Sequence, residues 1–462
     1  MGADRFDEAA TIYAELVRAV PGEPGLRLNL GMALAMAGRP REAVPHLEAA
    51  LTGRPDLLPA ALFLGAVHME LGQPARAVEP LETFLAAQPA HTDARQMLGE
   101  ALLALERHDS AARHFRILAE QAPKDPRAWF GLGRSYEGLS QGAFQELQVS
   151  APESAFILLL VAEGMEAQER DKSAFALYRE ALEKRPGLAE AHEALARIYE
   201  RDGHPEWAAA EREKASGLPP PDCSTLTLEC DFRGGRHRAV LDASRSLRTA
   251  ESRYWQSRAA GELAREAFTR LDALGPSPEA TLIRVQILRA QRRYGESKET
   301  LEKAVETWPE DLRLRQELAT LLFIAREYEA ARPVLEGLLK GDPGSPDLNL
   351  LLGEVWLAQR QPEKAVPYLE EALSGDPKRL RAKGALGQAY LDSGQAERAV
   401  PHLEAALETD QDGSLHFQLA RAYQATGQAD RARQTRQEFQ EIQRANAARE
   451  ESEQEEFSIT PP

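Results

Sequence analysis

The feature that most constrains this chain is a ruler of about 34 residues along which the same residues recur. Leu30-Gly31 is followed by Leu64-Gly65, Leu98-Gly99 and Leu132-Gly133. Prolines keep the same spacing at Pro21, Pro55, Pro89 and Pro123, and small residues do so at Ala43, Ala77 and Ala111. The nonapeptide AVPHLEAAL stands at Ala43–Leu51 and again at Ala399–Leu407, with the near copy AVPYLEEAL at Ala365–Leu373. A unit this short cannot bury a core by itself. It has to stack on its neighbours, so the chain reads as an array and not as one globular core.

Within each unit, apolar residues recur at helical spacing in two runs. Gly38, Gly72, Gly203, Gly394 and Gly427 fall between the runs, where a left-handed residue ends a helix. The small residue after the leucine (Gly31, Ala162, Ala196, Gly353, Gly387) lets two helices approach closely. The closing proline cannot continue a helix, so it opens the next unit.

These residues resemble the tetratricopeptide repeat family, a helix–turn–helix unit with an aromatic residue, Leu-Gly, Tyr, a later Ala and a closing Pro. Trp129, Leu132, Gly133 and Tyr136 follow that pattern. About eleven units, most of the chain, match it. The resemblance implies an all-α, right-handed α-solenoid with an irregular central insertion.

The ruler divides the chain. Residues 1–220 form an N-terminal array, a half repeat plus six, in which the unit at 126–152 is short and its second helix, around Gln141–Val149, is clipped. Residues 221–277 are an atypical segment with a cysteine-containing loop and two helices, Arg236–Leu247 and Glu251–Leu274. Residues 278–448 carry five more repeats and a polar capping helix, and 449–462 are an acidic tail expected to be disordered. Asp4–Ala19 reads as the second helix of a repeat whose first is missing. Compartment is therefore left open: cytoplasmic for the chain as given, periplasmic or exported if the natural start lies upstream of Met1.

A formal charge of −17 over 462 residues argues against nucleic acid as a partner, because phosphate contact needs a basic surface. No apolar run approaches the length of a membrane span. The chain lacks a phosphate-binding loop, GxSxG, HExxH and a dinucleotide fingerprint.

Both cysteines sit in Pro219–Gly235, PPPDCSTLTLECDFRGG, which also holds the β-like alternation Leu226, Thr227, Leu228. Cys223 and Cys230 read first as buried, reduced thiols packing the break. A disulfide formed in an oxidising compartment is one alternative, and a zinc site completed by His204 and His237 is another. His46 and His402 occupy one position of the copied nonapeptide and read as packing or surface residues, as a catalytic residue is not expected to be copied. His192-Glu193 reads as scaffold. No catalytic residue, cofactor or metal is expected.

The resemblance also implies that first helices line a groove, with contacts at the second, fifth, ninth, twelfth and thirteenth positions of a unit. Carried onto this sequence, the groove candidates are Leu28, Met32, Met36, Leu62 and Met69, then Gln96, Glu100, Phe130, Arg134, Arg197 and Arg201. The C-terminal candidates are Gln286, Arg289, Arg313, Gln316, Gln388, Phe417 and Arg421. The first set is apolar and methionine-rich, the last mostly polar. The lysine and asparagine clamp with which some members hold a terminal carboxylate is absent from the N-terminal units, since Leu28, Met32, Leu62 and Ala66 stand there. The expected function is a non-catalytic scaffold or adaptor binding a protein or peptide segment. A structural or self-associating component of a cell-envelope complex is the alternative, and a thiol or metal enzyme centred on Cys223 and Cys230 comes third. Oligomeric state is open.

Overall fold

A computed structural model describes residues 3–455 and 459–462. Among the described residues the regular structure is helical, with no strand, as an all-α repeat solenoid requires. No described helix is long and apolar enough to cross a membrane. The chain forms two compact units, residues 1–280 and 281–461.

In the first unit α1 (Ala3–Ala19) precedes three helix pairs. These are α2 (Pro24–Met36) with α3 (Pro40–Gly53), α4 (Leu58–Glu70) with α5 (Pro74–Ala87), and α6 (Thr92–Ala104) with α7 (His108–Gln121). The long α8 (Pro126–Ser150) follows. Next come α9 (Ala155–Ala167) with α10 (Asp171–Lys184) and α11 (Ala189–Arg201) with α12 (Pro205–Gly217). The short α13 (Thr227–Arg233) and α14 (His237–Ser244) lead to α15 (Ala250–Ala273).

Three local devices build each pair. The leucine-glycine position packs first helix on second: Gly31 faces Leu47, Gly65 faces Leu81 and Gly99 faces Phe115, each too close to admit a Cβ. The turn is left-handed, with Gly38 at φ 75° and Arg39 N donating to the Leu34 carbonyl at 2.9 Å. The third device ties a repeat to its predecessor. A side chain in the first turn of the first helix donates to the carbonyl of the closing proline. Arg27 does so to Pro21 at 3.0 Å, Trp129 to Pro123 at 2.9 Å, and Arg95 to Pro89.

The unit beginning at Pro126 departs from the sequence reading. It is not a repeat with a clipped second helix. Nothing between Gln141 and Val149 breaks the helix, so α8 runs on for 25 residues, against 13 for α2. Its antiparallel partner is α15. Phe268 of α15 faces Gly133 as Phe115 faces Gly99. Ser140 and Ser257, 117 residues apart, each donate to the other's carbonyl, at 2.9 and 3.1 Å. The stretch from α9 to α14 is therefore inserted between the two helices of one repeat. The break at 219–235 is also less irregular than its composition suggests. The β-like alternation is three residues long, and Thr227 and Leu228 begin α13.

In the second unit α16 (Pro278–Ala290) and α17 (Tyr294–Thr307) are followed by α18 (Leu312–Ile324) with α19 (Tyr328–Leu339) and α20 (Pro346–Ala358) with α21 (Pro362–Gly375). Then come α22 (Leu380–Asp392) with α23 (Ala396–Ala406), and α24 (Ser414–Ala425) with α25 (Ala429–Glu455). Leu301, Leu335, Leu369 and Leu403 recur on the ruler and are fully buried in one core. The tail expected to be disordered is helical as far as Glu455, because glutamate, glutamine and arginine favour a helix and no proline interrupts them there. Residues 456–458 of that tail lie outside the described residues.

Candidate protein-binding faces

In the first unit α2 touches α4, α4 touches α6 and α6 touches α8, so these first helices share one face. Met36 is half exposed there, and Met32, Leu62, Met69 and Phe130 are half-buried. Unbranched thioethers adapt their shape to what they meet, so this row suits an apolar contact of variable outline. Leu28 does not join it. At 8 % exposure it packs in the core with Leu30, Leu34 and Leu47, where the inward-facing side of α2 places it. Farther along, Gln96 donates to Glu100 at 2.8 Å and Arg134 pairs with Glu137 at 2.7 Å.

The corresponding face of α9 and the first turn of α11 are covered by the chain itself. Phe156, at the second position of its repeat, packs on Tyr254 of α15 with ring centroids 5.1 Å apart. Glu163, at the ninth position, meets Arg258 of α15 at 3.6 Å. Glu190, at the second position of the next repeat, pairs with Arg233 of α13 at 3.0 Å. Burial pushes the Glu163 carboxyl up, against the pull of Arg258. Arg197 and Arg201 do not project free into a groove. Both hold Glu166, at 3.1 and 3.0 Å, and Arg201 also holds Asp171 at 2.8 Å. Burial alone would raise Glu166, but hydrogen bonds from the two arginines outweigh it and hold the carboxyl below its usual range.

Cys223 and Cys230 are joined in a disulfide, which corrects the reading as buried reduced thiols. Cys223 is exposed, and the fold of the loop onto α13 brings the two Cα atoms to 5.7 Å, within bridging range. The bond removes both thiolates from the proposed zinc set. His204 instead stacks on Trp207 with centroids 3.7 Å apart, and His237 packs on Phe232 at 5.1 Å. Among the described residues no group of three or more histidines, cysteines and acids is placed to hold a metal ion. His192 is buried between Glu211, 2.5 Å from Nδ1, and the Pro186 carbonyl, 3.2 Å from Nε2. It thus repeats the proline tie of the other first helices. His46 and His402 are both half-buried, and burial lowers both imidazoles, as one repeated packing position implies.

In the second unit α18 touches α20, α20 touches α22 and α22 touches α24. Ion pairs span successive first helices on this face. Arg289 pairs with Glu317, Arg381 grips Glu354 with two bonds of 2.8 and 2.7 Å, and Arg421 reaches Asp392 at 3.5 Å. Arg289 and Arg421 thus tie repeats together. Arg313 folds back on Asp311, the cap of its own helix, at 2.6 Å. Gln286 and Gln316 are exposed and Gln388 is half-buried. Phe417 is 49 % exposed, with its ring 5.7 Å from Phe439. Sequence reasoning missed the cover over α9 and the first turn of α11, because no local signal says that Phe232, Arg233, Tyr254 and Arg258 return to them.

Paired helices on a fixed ruler, with first helices sharing a face, define a repeat scaffold. Family models described as Tetratricopeptide repeat match residues 34–83 and 356–419, residues 1–57, 64–126, 97–156 and 317–379, and residues 413–438. The chain belongs to the tetratricopeptide repeat family. Among solved structures it is similar to the P58(IPK) TPR domain, at 18 % identity over 88 % of this chain and 99 % of that one, with a TM-score of 0.24. Yeast Tom70 matches at 16 % identity over 91 % and 92 % of the two chains, with a TM-score of 0.31. YrrB, described as a TPR protein with an unusual peptide-binding site, matches at 20 % identity over 45 % and 92 %, with a TM-score of 0.26. No curated protein sequence matches the chain.

Proposed function

We propose that this chain is a non-catalytic scaffold that binds a protein segment along the shared face of α2, α4, α6 and α8. The observation that carries the reading is the row Met32, Met36, Leu62 and Met69, which stays partly open to solvent while the leucines beside it are buried. A segment with apolar side chains on one side would cover these thioethers and meet Glu100, Phe130 and Arg134 farther along. Proteins retained from extract of the native host by immobilised wild type, Met32→Glu/Met69→Glu and a second-helix control, Glu82→Lys, test it. A partner held by wild type and control and lost by the double variant is expected. Equal retention by all three overturns the reading.

A role in assembly is a second reading, favoured by Ile12, Leu16 and Val20. These fall at spacings of four along and just past α1 and are 59, 41 and 52 % exposed. A molar mass by light scattering that does not change with concentration counts against it.

A further inference from the structure

The cover over the first turn of α11 is built like a bound peptide. Phe232 lies with its ring centroid 5.1 Å from that of Trp255, and the Arg258 guanidinium sits 4.9 Å over the Phe232 ring. The next residue, Arg233, pairs with Glu190 of α11 at 3.0 Å. An aromatic and a basic side chain thus occupy adjacent subsites, one walled by Trp255 and Arg258, the other ended by a carboxylate. Trp255 is 2 % exposed, and its indole N–H has no hydrogen-bond partner among the described residues.

The element that delivers these two residues is weakly anchored. α13 is seven residues long and none of them is fully buried. A helix of that length does not hold by itself in water. Its covalent brace is the disulfide from Cys223, in the preceding loop, to Cys230, in the helix. Cys223 is exposed, so a reductant reaches the bond. α15 differs, because its pairing with α8 along the whole helix keeps Trp255 and Arg258 in place whatever α13 does.

We propose that the site between the first turn of α11 and Trp255 and Arg258 of α15 is a recognition site for an aromatic–basic residue pair on a protein segment. In the oxidised protein it is filled by the chain's own Phe232-Arg233, and the Cys223–Cys230 disulfide keeps that occupant in place. A dithiol opens it by a balanced two-electron exchange. The dithiol's two sulfurs join as a disulfide, the Cys223–Cys230 bond breaks, and the two protons released end on the cysteine thiols. α13 then frays, and an external segment of the same chemistry competes for Trp255, Arg258 and Glu190. The acidic end of the site selects a basic side chain over an acidic one. The inference rests on the protein-binding reading but concerns α11 and α15 and not the row on α2, α4, α6 and α8.

The test uses the full chain and a fluorescein-labelled synthetic peptide of residues 226–236, with serine in place of Cys230. Anisotropy is followed in oxidised protein, in protein reduced by dithiothreitol, and in Cys223→Ser/Cys230→Ser without reductant. The expected result is binding at least about tenfold tighter to the reduced and the double-serine proteins than to the oxidised one, and weakened by Glu190→Gln. Hydrogen exchange at residues 226–236 should quicken about tenfold or more on reduction. Equal affinity in the three forms, absence of binding in all, affinity indifferent to Glu190→Gln, or unchanged exchange each overturns the proposal. Because Met32 and Met69 lie on α2 and α4, away from α11 and α15, failure of the partner-retention test leaves this result unaffected, and the reverse holds.

Discussion

Phe268 of α15 lies against Gly133 of α8 as Phe115 lies against Gly99 within a single helix pair. A Cβ at Gly133 would overlap the Phe268 ring, so Gly133→Val has to push the two helices apart or tilt the ring. Overpacking of this kind is expected to destabilise the first unit by about 1–3 kcal/mol, read as a lower urea midpoint. Gly142 on the same helix faces open space, and Gly142→Ala is expected to be neutral or to stabilise by up to about 1 kcal/mol.

The same relationship shows where the sequence was legible. Leu-Gly, the closing prolines and the turn glycines report contacts inside a repeat or to the next one, and those pairs stand where the ruler puts them. That Phe268 completes the repeat begun by Trp129 is a tertiary choice with no local mark. The continuity of α8 could have been read, since Gln141–Val149 contains no proline and no turn signal beyond Gly142. The positions that share one face of the first helices were likewise legible as register. Whether each one opens to solvent was not, as Leu28 and Arg201 illustrate from opposite directions: one is buried in the core, the other bound to Glu166 and Asp171.

The turns between paired helices carry a measurable strain. Gly72 takes φ 64° at no steric cost, whereas Arg360 takes φ 58° at the same place in its own repeat. Arg360→Gly is expected to raise the stability of the second unit by up to about 1 kcal/mol. Gly72→Ala is expected to lower that of the first by about 1 kcal/mol. Urea denaturation of the two variants checks both signs, and a stabilised Gly72→Ala would refute the argument.

The proline tie makes a third prediction. Asn349 is 2 % exposed and its amide nitrogen donates to the carbonyls of Pro343 and Ser345 at 2.8 and 2.9 Å. Asn349→Leu leaves the Pro343 carbonyl without its donor and is expected to cost about 1–3 kcal/mol. Arg315 performs the same office for Pro309 one repeat earlier, so Asn349→Arg is expected to cost less than Asn349→Leu. Equal losses in thermal melts of the two variants would mean that the tie contributes nothing beyond packing.

The half-buried carboxyl of Glu354 gives the second unit a pH dependence of definite sign. Burial pushes this group above the usual carboxylate range, and the bidentate contact with Arg381 only partly reverses that. The folded chain therefore favours the protonated form. The resulting stabilisation is complete below the pKa of the unfolded chain, about 4.3, and is lost as pH rises through the higher folded value. Glu354→Gln cannot titrate and escapes that loss. The melting temperature of Glu354→Gln minus that of wild type should become more positive between about pH 4 and pH 7. If the difference instead becomes more negative over that interval, the Arg381 pair outweighs the cost of burial, and the ion pairs between first helices hold the repeats together by charge.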